Sequence, residues 1–344
     1  MNGAQLLLNA QLHSTFLGHL PPSRSGIVVR TLSHNAHDPM FVRVECSPYT
    51  RFVLSKRLSV RVLLDNSIPG HSQLCDWAMG PQGPLVGPYN QDDRVLGITR
   101  KRPHNDMAFQ AQVDLLFTVG RLIREKHIEA FTYSEFLCES MEQFSGDPML
   151  DALAECDIRT CPPAIDRSRF QRGDYFEFAR KGGKKDRKRG IESSLSQIAF
   201  MQMLCELTDE LSAQLITFKG LLGLTDFEIE SLKNLKCYQQ LCRISNSIEN
   251  YPDMFHLWTA HRNRIDALLT LDNKFVNIAN KLCNSRGALV EFPTMVLRPS
   301  ELLSFLGIKE PDTIPIQYGR FYTLVELWRD APTEKFALFR VRQR

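Results

Sequence analysis

Residues 58–64, LSVRVLL, form an apolar, β-branched run that stops at Asp65-Asn66-Ser67. Such a run predicts a buried strand of a parallel sheet ending at a polar turn. From Met107 to Lys126 apolar residues recur at helical spacing, through Phe109, Val113, Leu116, Val119 and Leu122, and His127–Thr132 then reads as a second short strand. The helical pattern returns from Ser194 to Ser247. It runs first through Ile198, Met201, Leu204, Leu207 and Leu211, then through Leu232, Leu235 and Leu241 after the capping sequence Thr225-Asp226-Phe227-Glu228. Two or three packed helices are expected there.

Two stretches interrupt this periodicity. Pro69 to Asn105 is rich in Pro-Gly and Gly-Pro and carries the triplet Arg100-Lys101-Arg102, which predicts a long loop. Residues 147–195 are the least regular of the chain. Within them Arg180 to Arg189 holds seven basic side chains and one acid, Asp186, downstream of Phe170, Tyr175, Phe176 and Phe178. Charge runs of this kind are usually solvated loops, and the competing reading is phosphate neutralisation with aromatic stacking on a single strand.

The passage Tyr251–Phe275, YPDMFHLWTAHRNRIDALLTLDNKF, is the most informative. Pro252 can open a helix, Asp253 falls in its first turn, and His256, Leu257 and Ala260 follow on the same side. After Arg262-Asn263-Arg264, residues 265–270 read as a strand that runs out at Thr270-Leu271-Asp272. A helix-turn-strand unit can return Asp272 to the crevice edge where Asp65 stands, because ligands of open α/β sheets bind outside the carboxyl ends of the strands.

This passage resembles the C-terminal half of PIN-domain nucleases, in which an acid opens a helix and a strand ends in Thr-x-Asp-x-x-Phe. VLLDNS at 62–67 is similar to the first strand of that family, TYSEFLCES at 132–140 to the segment supplying its glutamate, and MVLRPSELL at 295–303 to its last strand and closing helix. The order of these pieces, with the 19-residue step from Asp253 to Asp272, is more restrictive than any one of them. The resemblance implies an α/β, three-layer PIN-like fold with a central parallel sheet flanked by helices. Residues 1–57 would be an N-terminal extension, 58–146 and 248–308 the two halves of the PIN-like domain, and 309–344 a C-terminal extension. The 118 residues between Glu135 and Asp253 imply a mostly helical insertion carrying the basic loop, at 147–247.

The resemblance also implies the chemistry. Asp65, Glu135, Asp253 and Asp272 map onto four metal-binding, catalytic carboxylates. Clustered carboxylates stay ionised only when a cation compensates them, and hard oxygen ligands select Mg²⁺ or Mn²⁺ over zinc. Bound metal would activate water for in-line attack on phosphorus, in a one-ion or two-ion arrangement. Asn66, Ser67, Thr270 and Asn273 are candidates to orient the acids by hydrogen bonds. Each acid also has a structural reading: Asp65 as a turn cap, Glu135 as a solvated helix residue with Glu139 its rival, Asp253 as a helix N-terminal charge, and Asp272 as an Asx-turn acid. Asp266 reads as a strand-edge residue and His256 as a packed histidine.

Composition adds limits. A hydrophobic content of 43% with 24% charged residues is ordinary for a globular protein, and a net charge of +3 is too small to diagnose a nucleic-acid partner. The local candidates for nucleic-acid contact are therefore Arg100, Lys101, Arg102, Lys184, Lys185, Arg187, Lys188, Arg189, Arg262 and Arg264. No apolar run is long enough to span a bilayer, and the N-terminus lacks the basic region and cleavage site of a secretory signal, which places the protein in the cytoplasm without a membrane partner. Nine scattered cysteines favour reduced thiols. The Cys156/Cys161 and Cys237/Cys242 pairs have a spacing that zinc tolerates but sit in unfavourable contexts.

The leading expectation is thus a metal-dependent endoribonuclease acting on single-stranded RNA, with RNA ahead of DNA and a protein inhibitor or a second copy of the chain as further partners. The alternatives are a catalytically silent PIN-like module that binds nucleic acid or protein, and an α/β hydrolase of small phosphomonoesters.

Overall fold

The structure, a computed structural model, describes residues 28–31, 42–46, 50–53, 59–81, 94–141, 151–170, 187–284 and 293–326. The chain divides into two compact units, Met1–Lys56 and Arg57–Arg344, and this boundary falls beside the expected end of the N-terminal extension. In the first unit, strands β1 (Val28–Thr31), β2 (Val42–Cys46) and β3 (Thr50–Val53) form an antiparallel sheet in that order.

The second unit is an α/β fold around a five-stranded parallel sheet. Its strands are β4 (Val60–Leu64), β7 (Ile128–Thr132), β8 (Ile158–Thr160), β9 (Ala267–Leu269) and β10 (Met295–Leu297), in the order β10-β9-β4-β7-β8. The chain builds outward from β4 through β7 to β8, then returns to the other side of β4 with β9 and β10. The reversal falls between β4 and β9, and crevices at such reversals are where open parallel sheets bind ligands.

Alternating strand residues feed two cores. Val62, Leu64, Ile128, Ala130 and Leu269 join one apolar cluster, while Leu63, Phe131 and Leu268 join the other. Both faces of the sheet are covered, which is why Val62-Leu63-Leu64 and Ala267-Leu268-Leu269 are apolar throughout, while Arg61 and Glu129 fall at half-buried positions of β4 and β7. The first face is covered by α2 (Met107–Asp114), α3 (Leu116–Arg124) and α12 (Pro299–Phe305), through Val113, Leu116, Val119, Leu122, Leu302 and Leu303. The expected single helix from Met107 is therefore two, divided at Leu115.

The second face is covered by α4 (Ser134–Met141), α5 (Arg187–Glu206), α8 (Asp226–Lys233), α9 (Leu235–Ser245), α10 (Tyr251–Arg262) and α11 (Asn273–Asn284). Between α5 and α8 run the short helices α6 (Asp209–Thr217) and α7 (Lys219–Leu222), so this region holds more helices than the two or three expected. Met254 through Ala260 of α10 are all buried, as befits a helix enclosed on every side, and Trp258 stacks on Tyr238 at 5.1 Å. Thr225 and Glu228 form the capping box that opens α8.

Two regions depart from expectation. Among the described residues the stretch from Pro69 is not one long loop: α1 (Ser67–Ser72) leads into β5 (Cys75–Pro81), which pairs antiparallel with β6 (Arg94–Arg100), and β6 pairs in turn with β11 (Phe321–Thr323), while 82–93 lie outside the described residues. Gly80, one of the glycines that suggested turns, serves packing instead, as does Gly97, since a Cβ at either would sit within 2.6 Å of the Phe321 ring. The segment expected as an insertion contains β8, a strand of the central sheet, and β8 escapes a periodicity search because it is three residues long and half exposed. Among the described residues no helix is long and apolar enough to cross a membrane.

Candidate functional site

Parallel strands bring their following residues to one edge, and three of the four candidate acids arrive there in this way. Asp65 follows β4, Glu135 lies in the first turn of α4 just after β7, and Asp272 lies three residues beyond β9. Asp253 reaches the same edge from the other direction. It is in the first turn of α10, whose last turn leads into the start of β9, so the helix begins where the strand ends.

Two of these acids are joined by hydrogen bonds. Asp65 is anchored by its N–H, which donates to the Leu269 carbonyl at 2.9 Å. Its Oδ2 accepts from Ser67 Oγ at 2.5 Å, Thr270 Oγ1 at 2.7 Å and the Ser67 N–H at 3.4 Å. Thr270 Oγ1 also accepts from the Asp272 N–H at 2.9 Å, and Ser67 Oγ accepts from the Leu271 N–H at 3.0 Å. Asp272 caps α11, its Oδ1 accepting from the N–H groups of Lys274 at 2.7 Å and Phe275 at 3.4 Å.

Each carboxylate thus has one oxygen engaged by local donors and one without a donor: Oδ1 of Asp65 and Oδ2 of Asp272, among the described residues. Neither forms an ion pair among those residues. Such a pair presents hard, anionic oxygens from two rigid elements. Of the four residues expected to orient the acids, Ser67 and Thr270 do so. Asn66 and Asn273 make no side-chain hydrogen bond to either acid among the described residues, because Asn66 lies in the turn entering α1 and Asn273 is exposed on the first residue of α11.

Glu135 is differently placed. It is buried and paired with Arg167, whose Nη2 lies 3.2 Å from Oε2 and whose Nε donates to Oε1 at 3.3 Å; Gln197 donates to Oε2 at 3.4 Å. Burial raises the carboxyl pKa above its ordinary value, and the Arg167 charge offsets only part of that rise. Neither the solvated-helix reading of Glu135 nor a waiting metal ligand describes this state, since the carboxylate would have to leave Arg167 to take a cation. Arg167 comes from the irregular segment after β8 and has no periodic signal in the sequence. Asp253 is half-buried. Among the described residues, no three His, Cys, Asp or Glu side chains stand together as a metal-holding group, so the expected four-acid cluster is present here as the Asp65–Asp272 pair.

His256 is a packed residue. It is buried, hydrogen-bonded to the Tyr133 hydroxyl and laid against Phe136 at 4.2 Å, and burial pushes its pKa down to about 3. Asp266 lies at the opposite edge of the sheet, its carboxylate accepting from the Arg61 N–H at 2.8 Å, as its strand-edge reading expected.

The cationic candidates separate by position. Arg262 ends α10, twelve residues long, and Arg264 lies just beyond it, so both stand at the amino edge, away from Asp65 by a helix length of roughly 18 Å. Arg262 donates to Ser231 Oγ at 3.1 Å, and the Arg264 carbonyl accepts from Arg61 at 3.1 Å. Closeness in sequence to Asp253 misplaced them, because a helix carries its two ends to opposite edges. Arg100 is bound to Asp114 at 2.7 Å and lies over the Tyr318 ring at 3.8 Å, whereas Arg102 is exposed. Lys184 and Lys185 lie outside the described residues. Arg187, Lys188 and Arg189 form the first turn of α5, so the basic run ends in helix and not in loop.

Cys156 Sγ donates to the Gly120 carbonyl at 3.4 Å while Cys161 is buried in the other core, and burial raises both thiols, to about 11 and about 12; among the described residues no three His, Cys, Asp or Glu side chains gather around this pair or around Cys237 and Cys242. Comparison of the chain with family models, curated proteins and solved structures finds no match.

Proposed function

We propose that this chain is a PIN-like, metal-dependent nuclease that hydrolyses phosphodiester bonds in single-stranded RNA, with Asp65 and Asp272 at its centre. The observation that carries the reading is the pair of carboxylates at the sheet's topological reversal, each with one oxygen held by local hydrogen bonds and the other without a donor among the described residues. Carboxylate oxygens suit Mg²⁺ or Mn²⁺. A bound ion would supply an activated water and neutralise charge on the phosphate.

The chain's own contribution is orientation. Ser67 and Thr270 hold Asp65 in one rotamer, Thr270 sets the Asp272 backbone by accepting its N–H, and the α11 N-terminus fixes the Asp272 side chain. Asp253, on the first turn of α10 at the same edge, is the acid best placed to join them. Glu135 joins only by exchanging Arg167 for a cation.

That ion pair also favours a second reading, in which the fold persists as a binding module for nucleic acid or protein and Arg167 has taken the cation's place beside Glu135. Cleavage of labelled single-stranded RNA and DNA in Mn²⁺, Mg²⁺ or EDTA separates the two. The nuclease reading expects metal-dependent cutting that is lost in Asp65→Asn and Asp272→Asn. A protein that shifts RNA in a gel but cuts nothing in any metal is the module.

A further inference from the structure

A cleft of about 150 Å³ opens where the end of α1, the end of β6 and the start of α2 meet. Its wall brings together His71, Arg100, Lys101, Arg102, His104 and Phe109, with Tyr318 on the rim. Ser67 ties it to the carboxylate pair, since its hydroxyl donates to Asp65 and its carbonyl accepts from His71 Nδ1 at 3.0 Å. From Ser67 to His71 is four residues, roughly 6 Å along the axis of α1.

The polar groups of the cleft are not equivalent. Arg100 is neutralised by Asp114 and covered by Tyr318, so it builds the wall. Among the described residues Lys101 forms an ion pair with Asp76, at 3.9 Å, in a pair whose side chains are 40% and 55% exposed, an arrangement worth little in water. Arg102 is exposed and has no acid partner among the described residues. His104 Nδ1 accepts from the Asp106 N–H at 3.1 Å, which leaves the ring proton on Nε2 as a donor. Phe109 lies between the two imidazoles, 5.1 Å from His71 and 4.8 Å from His104.

A lysine held only by a weak, exposed ion pair, an exposed arginine, a fixed N–H donor and an aromatic ring call for an anion attached to something flat or apolar. The volume is below the roughly 300 to 1,000 Å³ of sites that enclose a whole small molecule. It suits one unit of a longer ligand.

We propose that this cleft is a subsite for one nucleotide of a single-stranded nucleic acid: Lys101 and Arg102 neutralise a backbone phosphate, His104 Nε2 donates to it, and Phe109 receives the attached sugar or base. The proposal rests on the nuclease reading for its direction, because a strand seated here leads toward Asp65. Binding at the subsite itself needs no metal.

Fluorescence anisotropy in EDTA tests it, with a labelled 12-nucleotide RNA and the same sequence as DNA, for the parent, Lys101→Glu/Arg102→Glu and Asp65→Asn, over a series of salt concentrations. The double variant is expected to bind at least tenfold more weakly. Its salt slope should be shallower by about 0.7 for each phosphate that the variant no longer neutralises. Both positions are partly or fully exposed, so its melting temperature should stay close to the parent's, and Asp65→Asn should bind no more weakly than the parent. RNA and DNA held alike place recognition on the phosphate and base, and RNA held more tightly adds the 2′-hydroxyl; both support the subsite.

An unchanged affinity and salt slope in the double variant, no binding by the parent, or displacement of RNA by polyglutamate as readily as by unlabelled RNA would overturn it. The last of these makes the cleft a docking site for acidic protein segments. If cleft binding behaves as expected while no metal supports cleavage, the subsite stands and the nuclease reading falls. Cleavage with an unaltered KM in the double variant is the reverse.

Discussion

Ser67 and Thr270 stand 203 residues apart in the chain and donate to the same oxygen of Asp65, at 2.5 and 2.7 Å. One hydroxyl comes from the helix after β4 and the other from the end of β9, so the Asp65 carboxylate is oriented only once both strands are in register. Groups that orient metal-binding carboxylates typically contribute 10- to 100-fold to metal affinity or activity. Ser67→Ala and Thr270→Val are therefore each expected to slow cleavage by about that factor and to move the Mn²⁺ midpoint of activity upward. Thr270→Val should also cost about 1 kcal/mol, because the part-buried Asp272 N–H loses its acceptor. A metal titration beside a urea melt reads both effects, and an unmoved midpoint in both variants would remove Asp65 from the metal site.

The Glu135–Arg167 pair gives a prediction of stability as well as function. Removing one member of a buried pair leaves the other uncompensated, so Arg167→Met should cost about 3 to 5 kcal/mol, part of it regained in Arg167→Met/Glu135→Gln. Because burial raises the carboxyl pKa in the folded state, the folded protein binds a proton there more tightly than the unfolded chain does. Glu135 thus favours the fold below its ordinary value of 4.5, and that contribution is lost as pH rises through the raised one. Glu135→Gln should flatten this limb of the stability profile. If Glu135 can take a metal, Mn²⁺ should raise the melting temperature of Arg167→Met more than that of the parent. An equal shift would confine Glu135 to the ion pair.

The parts of this site that were legible in the sequence are those that follow from strand ends. Val62-Leu63-Leu64 and Ala267-Leu268-Leu269 are apolar without interruption because both faces of β4 and β9 are buried there, and an acid just beyond such a run lies at the sheet edge. Ser67 and Thr270 were readable as hydroxyls close to those acids. Asn66 and Asn273 looked equivalent by spacing, but side-chain direction at a turn and at a helix start is set by backbone angles that spacing does not carry. Arg167 was out of reach for another reason: it meets Glu135 at a separation of 32 residues, and no periodicity of the sequence ties the two together. The hairpin β5–β6 was hidden by its own glycines, whose role is to admit Phe321.

His256 should govern the acid limb of stability. Its folded pKa is depressed to about 3 from an ordinary 6.5, so its contribution is complete above pH 6.5 and is lost as pH falls toward 3. The expected loss is about 1.4 kcal/mol per pH unit over that range. His256→Phe would begin less stable, since the Tyr133 hydroxyl loses this partner, but its stability should fall less steeply on acidification. Urea midpoints from pH 7 to pH 4 measure the two slopes. Parallel slopes would mean that this histidine titrates in the folded protein much as it does in the unfolded chain.

Gly120 and Gly220 make a controlled comparison, since both are helical glycines and alanine is intrinsically favoured over glycine in a helix by about 1 kcal/mol. At Gly220 an added Cβ meets nothing within 4 Å, so Gly220→Ala should stabilise by a fraction of that amount in so short a helix. At Gly120 the same Cβ would lie 2.0 Å from the Ala152 carbonyl oxygen, a backbone atom. That segment is also held by Arg124, which donates to the carbonyls of Ala152 and Ala154 at 3.1 and 3.0 Å, and by Cys156, which donates to the Gly120 carbonyl. Either α3 or the approach to β8 must shift, and overpacking of this kind costs about 1 to 3 kcal/mol. Because β8 is the edge strand that leads to Arg167, Gly120→Ala should also loosen the Glu135 pair, visible as faster hydrogen exchange in 158–170 than in 267–272. A stable Gly120→Ala with unchanged exchange would mean that the close approach of α3 to Ala152 is not required for the sheet edge to form.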